Sequence, residues 1–244
     1  MMHMIGVLLA MGLAITHSLS SYIPIFAWLP KHRWTSFAGG VSLTFIFLEV
    51  FPELSHAQEE LHHSKFFLMD YLENHVYVLS LLGLTLFYLL DSAALKARAK
   101  TINPNDPAPS HANVFWIHIA AFAGMNATTG YLIQELSHSH WFSCLLFFIA
   151  IALHFFIVDE HLLEHHPCLY TKYGRWILTG AVVLGASLGQ ATHLNAIGVS
   201  LIWAFLAGSI ILNVLKRELP DEKESCGWSF LTGILIFSGL LFLK

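Results

Sequence analysis

Apolar residues occur along the chain in eight blocks that are separated by shorter polar segments. Each block is close to the roughly 20 residues that a helix needs to cross the hydrocarbon core of a bilayer. Because a backbone in lipid has to satisfy its own hydrogen bonds, we expect these blocks to be helices rather than strands. The predicted spans are residues 4–28, 36–54, 72–91, 113–134, 142–160, 176–191, 197–215 and 227–243. The pattern therefore predicts an all-α polytopic membrane protein with eight transmembrane helices.

The positive charges of the loops predict how these helices are oriented. With eight spans, ten of the twelve Lys and Arg residues fall on one side of the membrane, and only Lys65 and Lys244 fall on the other. Cytoplasmic loops carry an excess of Lys and Arg. We therefore expect both termini to face outward, in a multi-pass protein of the plasma membrane or of a bacterial inner membrane.

The composition excludes several classes of protein and partner. Only 11% of the residues are charged and 56% are hydrophobic, whereas charged residues make up about 25% of a typical soluble domain. A net charge of −4 without a basic patch argues against nucleic acid as a partner, so the lipid bilayer is the expected surrounding. The three cysteines are far apart and define no disulfide or zinc framework. The sixteen histidines outnumber the twelve Lys and Arg residues, which is a first indication that the protein binds a metal ion.

Two segments related by an offset of 168 residues predict an internal repeat. The matched positions are Phe37 with Phe205, Gly40 with Gly208, and Pro52 with Pro220, and an acidic residue follows each proline. The segments belong to spans two and seven, which run through the membrane in opposite directions. Inverted three-helix repeats of this kind are typical of secondary transporters, whose substrate site lies near the membrane midplane.

This repeat divides a single transmembrane domain, residues 1–244, into a 3+2+3 arrangement. We expect a first three-helix repeat at 1–95, a cytoplasmic linker at 96–112, a central helix hairpin at 113–166, and a second, inverted repeat at 176–244. The hairpin, spans four and five, has no counterpart in the repeat and is where we expect a substrate site.

Ionisable and strongly polar side chains at membrane depth are costly and by default mark a function. Spans four and five hold the richest set of them. Counting the neighbouring positions, the candidate metal ligands are Asn126, His154, Asp159, His118, Glu160, Glu49, His161 and His165. His154, His161 and His165 share one stripe at helical spacing, and imidazole suits a borderline metal such as zinc. The alternative is that each histidine bonds a neighbouring carbonyl or is solvated.

The segment from Gly40 to Glu53 and residues 205–220 resemble the Gly-to-Pro-acidic segments of the ZIP (Zrt-, Irt-like protein) family of divalent metal transporters. In span four, Asn126 and Gly130 match that family's His-Asn/Ser-x-x-Asp/Glu-Gly pattern. In span five, His154 and Asp159 match its His-Glu-x-Pro-His-Glu pattern. The resemblance implies an eight-helix carrier with Asn126, His154 and Asp159 as midplane ligands. The other ligand positions of the two patterns hold Met125, Thr129, Phe155 and Val158, which leaves open whether this reduced set supports transport.

The leading hypothesis is thus a ZIP-like transporter, not an enzyme, that moves a divalent cation into the cytoplasm without a prosthetic group. Zinc is the first candidate cargo, with Fe²⁺ or Mn²⁺ as alternatives, and the cluster at 161–166 would be an exit site. A second hypothesis is a non-transporting ZIP-like metal sensor or scaffold. A third is a di-iron enzyme with histidine boxes at 56–63 and 161–166, although the charge distribution places these segments on opposite sides of the membrane. Coupling ion and oligomeric state, including a homodimer, stay open.

Overall fold

The computed structural model describes residues 2–20, 30–63, 75–100, 109–137, 141–192, 194–219 and 225–243. These residues form eight helices and no strand, which confirms the all-α prediction for this part of the chain. The helices are α1 (Met2–Leu19), α2 (31–63), α3 (His75–Lys100), α4 (Pro109–Leu136), α5 (Trp141–His165), α6 (167–191), α7 (196–218) and α8 (Gly227–Phe242). The predicted linker at 96–112 is helical at both of its described ends, since α3 continues to Lys100 and α4 begins at Pro109.

Within the described ranges, four helical segments are long and apolar enough to cross a bilayer. They are Lys31–Glu59 of α2, His75–Ala93 of α3, Trp141–His165 of α5 and Ala196–Glu218 of α7. Two further apolar helices, Met4–Leu19 and Gly227–Phe242, are shorter. Large apolar side chains such as Leu8, Leu235 and Phe242 lie exposed on the outside of the bundle. Exposed apolar surface of this kind is unusual for a soluble monomer, so the fold is that of a membrane protein.

Several helices of the described part of the chain approach one another closely at glycines. At six of these glycines an added Cβ atom would lie within 2.3 Å of a backbone carbonyl oxygen of the facing helix. The glycines and the residues whose carbonyls they face are Gly40 with Phe230, Gly233 with Phe37, Gly83 with Phe205, Gly208 with Ser80, Gly130 with Val182, and Gly185 with Ala127. Small residues at such positions let the backbones of membrane helices approach closely. The pairs of helices packed in this way are α2 with α8, α3 with α7, and α4 with α6.

Helices α2 and α7 each contain a π turn, which lies in the middle of α2 and at the end of α7. In α2 it covers Ile46–Val50 and closes with a hydrogen bond from Phe51 N–H to the Ile46 carbonyl. In α7 it covers Val214–Glu218 and closes with a 3.2 Å bond from Leu219 N–H to the Val214 carbonyl. In the sequence a proline follows each closing residue. Because a proline has no N–H and its ring displaces the carbonyl four residues earlier, a wider turn just before it relieves the conflict.

Helix α5 positions two of the buried polar groups of the bundle. It contacts α1, α2 and α7. Its buried side chains follow the length of the helix and include His154 and Asp159. Two polar groups on a helix surrounded by others have to find partners on those neighbouring helices, and both do so.

Candidate site on α5: two buried histidine–carboxylate pairs

The first buried pair joins α1 to α5. His17 Nδ1 lies 2.8 Å from Asp159 Oδ1, and both side chains are 0% exposed. Tyr170, in the π turn of α6, adjoins Asp159, and its hydroxyl is 3.2 Å from Ser20 Oγ. Burial, followed by the Asp159 carboxylate, raises the pKa of Tyr170, so this phenol stays protonated. The pair is therefore enclosed by an aromatic residue and a short chain of hydroxyls.

The second buried pair joins α5 to α7. His154 Nδ1 bonds Glu218 Oε1, and the Glu218 side chain is 0% exposed. Glu218 is the last residue of the π turn that ends α7. Turns of this kind inside α-helices occur frequently at functional sites. Here the turn carries the carboxylate that meets His154.

Each pair keeps unbonded polar atoms. Within the described residues, no hydrogen-bond partner is present for His17 Nε2, Asp159 Oδ2, His154 Nε2 or Glu218 Oε2, all of which are buried. A buried polar atom without a partner costs about 1–3 kcal/mol. Such atoms call for an ordered water or a cation. In each pair the free Nε2 lies on the far side of the ring from the bonded Nδ1, so the free nitrogen and the free oxygen face away from each other. Imidazole nitrogen and carboxylate oxygen are each ligands that Zn²⁺ and similar cations accept.

The three midplane ligands expected from the ZIP resemblance do not form one cluster. His154 and Asp159 are five residues apart on α5, so they face directions about 140° apart and pair with different helices. Asn126 is buried in α4, and its Oδ1 has no partner in the described part of the chain. Among the described residues no three His, Cys, Asp or Glu side chains are placed to share one metal ion. The arrangement is one of two separate pairs.

His118 belongs to a different polar cluster. Its Nε2 lies 3.1 Å from Asp91 Oδ1, and Asp91 also bonds Lys216 and, at 2.6 Å, Arg217 Nη2. This cluster joins α3, α4 and α7. A small cavity beside it is lined by Phe87, Asn213 and the same charged residues.

The candidates at the far end of α5 form a partly exposed group. Glu160 Oε1 lies 3.3 Å from Lys31 Nζ, and Lys31 also bonds Glu164, so the start of α2 is tied to the end of α5. The His161 and His165 rings are 4.2 Å apart, and His165 Nδ1–H donates to the His161 carbonyl at 2.9 Å.

Glu49 lies in the π turn at the middle of α2. Together with Glu53 and His56 it lines an open cavity that also borders the end of α8. An acidic, imidazole-bearing mouth of this kind raises the local concentration of cations.

Sequence reasoning missed two partners. No local pattern connects His17 with a residue 142 positions away. Glu218 lies beyond the predicted end of span seven and next to two basic residues, so the apolar pattern does not indicate that it is buried. The signal that could have indicated it is the proline two residues later, which marks the π turn.

No family model, curated protein or solved structure matches this chain. The resemblance to the ZIP family therefore stays a prediction from its sequence motifs.

Proposed function

We propose that the protein is a ZIP-like membrane carrier of a divalent cation, zinc first, and that the cation passes the middle of the bundle at α5. The observation that carries this proposal is the pair of buried histidine–carboxylate contacts at His154 and Asp159. Both retain unbonded donor atoms in the described residues. Ionisable groups at membrane depth almost always line a substrate or ion pathway, and imidazole with carboxylate suits Zn²⁺, Fe²⁺ and Mn²⁺.

We further propose the 3+2+3 arrangement with an inverted repeat, in which α2 corresponds to α7 and α3 to α8. The two π turns support it, since Ile46–Val50 and Val214–Glu218 are separated by the same 168 residues as the sequence match. The glycine contacts support it as well. Between α2 and α8, Gly40 packs on the Phe230 carbonyl and Gly233 packs on the Phe37 carbonyl. Between α7 and α3, Gly208 packs on the Ser80 carbonyl and Gly83 packs on the Phe205 carbonyl in the same reciprocal way.

Alternating access follows from this arrangement if the two three-helix groups rock against α4 and α5. Glu49 and Arg217 occupy equivalent positions in the two π turns, 168 residues apart. Glu49 lines an open cavity, whereas Arg217 is bonded to Asp91 in the cluster that joins α3, α4 and α7. An outward-open carrier needs an open mouth at one end of the bundle and a closed contact at the other, and these two features meet that requirement. We propose it with eight spans and both termini outside.

The test is uptake of radioactive zinc into proteoliposomes that contain the purified protein. We expect saturable uptake, and we expect the combined substitutions His154→Ala and Asp159→Ala to lower it at least about tenfold, since they remove the buried imidazole and carboxylate of α5. A matched control combines Thr44→Ala with Ser209→Ala, two buried hydroxyls that bond only carbonyls of their own helix. Equal uptake by the two double variants would refute the proposal.

One observation favours a second candidate, a ZIP-like protein that binds metal without moving it. Among the described residues no three-ligand cluster is formed, so the reduced set of motif residues has not been replaced by a new single site. A sensor or scaffold would show saturable zinc binding in the purified protein and no uptake in the same proteoliposomes.

The di-iron alternative is disfavoured by the geometry of α2. Lys31, at the start of this helix, contacts Glu160 of α5. His56 lies 25 residues further along, which is about 37 Å in a helix. The histidine-rich segments at 56–63 and 161–166 are therefore too far apart to share an iron pair.

A further inference from the structure

We infer that His17 and Glu218 are themselves ligands of the cation, so that α5 carries two successive stations, His154–Glu218 and His17–Asp159. This inference rests on the proposed function and deepens it, because it assigns the ion pathway to α1 and α7 as well as to α5. Neither residue is a ligand position of the ZIP patterns in spans four and five, although Glu218 lies in the 205–220 segment that resembles that family.

The first argument is the match of donor atoms within each pair. Each station has one imidazole and one carboxylate, contributed by two different helices and fully enclosed. In both stations the second ring nitrogen and the second carboxylate oxygen are the buried atoms that lack a partner in the described residues. Because Nδ1 already faces the carboxylate in each pair, a cation that replaced the shared proton would be held by one imidazole nitrogen and one carboxylate oxygen.

The second argument is the composition of the interior near α5. Four positions where the ZIP patterns have a ligand hold Met125, Thr129, Phe155 and Val158, all of which are buried. Thr129 Oγ1 is bonded to the Met125 carbonyl of its own helix. The imidazole of His17 and the carboxylate of Glu218 thus restore the kind of donors that these positions lack. Each station has one carboxylate, Glu218 or Asp159, and its negative charge offsets part of the charge of a divalent cation in a medium of low dielectric constant.

The third argument is the spacing of the stations along α5. Five residues correspond to a rise of about 7.5 Å and to a rotation of about 140° around α5, so the stations lie at two successive heights on different faces of the helix. The ring of Phe155 lies between the two histidines, 4.5 Å from the His17 ring and 6.2 Å from the His154 ring, so the stations are separate. Two protein ligands leave the remaining coordination positions to water, and binding that is weak and divided over several sites lets the ion leave again.

Cysteine substitution tests this assignment, because a thiolate ligand favours a soft metal. In a background in which Cys144, Cys168 and Cys226 are replaced by alanine, we would introduce either His17→Cys or Glu218→Cys. Binding of CdCl₂ and of ZnCl₂ to the full-length purified protein in lipid nanodiscs would be measured by equilibrium dialysis. We expect either substitution to raise the ratio of cadmium to zinc affinity at least about tenfold.

Thr16→Cys and Ser209→Cys are the matched controls. They place a buried thiol on the same two helices, at hydroxyls that bond the Leu13 and Leu206 carbonyls, and they should leave the ratio unchanged. A ratio at His17→Cys and Glu218→Cys equal to that of the controls would overturn the inference. If either cysteine variant fails to fold, Glu218→Gln and His17→Gln, which keep a hydrogen-bonding side chain, should each weaken zinc binding at least about tenfold, and unchanged binding would overturn it equally.

Zinc binding and zinc uptake by the unsubstituted protein test the proposed function separately from the two ligands. If that protein neither binds nor transports zinc, the carrier proposal fails. If it transports zinc while the substitutions at His17 and Glu218 change neither selectivity nor affinity, the carrier proposal stands and only the assignment of these two ligands fails.

Discussion

Gly208 of α7 packs directly against the carbonyl oxygen of Ser80 in α3, with no space for a side chain between the two backbones. Gly40 of α2 has the same relationship with Phe230 of α8. We expect Gly208→Ala and Gly40→Ala each to lower the free energy of unfolding by about 1–3 kcal/mol, because the added methyl group forces the helices apart. Denaturant titration in mixed micelles measures this.

Gly239 provides the control for these substitutions. It lies on α8, and a Cβ added to it would meet nothing within 4 Å. Gly239→Ala should be neutral or slightly stabilising, because alanine favours a helix by about 1 kcal/mol over glycine. If all three variants had equal stability, the close approach of the backbones would not exist in solution.

The glycine contacts show which features of the fold could be predicted from the sequence alone. The matched Phe and Gly positions of spans two and seven were visible without a structure, and the segments between them are helices as expected. The π turns were not predicted. They are defined by backbone N–H groups that bond the carbonyl five residues earlier instead of four, and the apolar pattern does not report this difference. The pairs of His17 with Asp159 and of His154 with Glu218 were not predicted either. Periodicity relates residues on one helix, whereas these contacts join residues 142 and 64 positions apart.

The buried pair of His17 and Asp159 predicts a strong energetic coupling. Removing one partner leaves the other buried without its bond, so Asp159→Leu and His17→Leu should each cost about 3–5 kcal/mol of stability. The double variant should lose much less than the sum, since two apolar side chains of similar size need no partner. The double-mutant cycle compares the thermal unfolding, in detergent, of the unsubstituted protein, the two single variants and the double variant. If the losses of stability of the single variants add up to that of the double variant, the two side chains do not interact.

The cluster around Asp91 predicts unequal roles for its two basic partners. The Arg217 side chain is 8% exposed, whereas that of Lys216 is 39% exposed. A solvent-accessible ion pair contributes about 0–1 kcal/mol, while loss of a buried partner costs about 3–5 kcal/mol. We therefore expect Arg217→Ala to lower the thermal unfolding midpoint clearly more than Lys216→Ala. The reverse order would mean that Asp91 is held mainly by the lysine.

The orientation of α2 gives a prediction for the whole topology. Lys31 and His56 are about 37 Å apart along this helix, which exceeds the roughly 30 Å of a bilayer core, so the two residues should lie on opposite faces of the membrane. The distribution of positive charge places Lys31 and Lys172 in the cytoplasm and His56 outside. In a cysteine-free background, a membrane-impermeant maleimide should label His56→Cys in intact cells and Lys172→Cys only after permeabilisation. Both positions are exposed in the folded protein, so a difference in labelling reports the side of the membrane rather than burial. Labelling of both variants in intact cells would place them on one face, and the proposed inverted arrangement of the two three-helix groups would then be wrong.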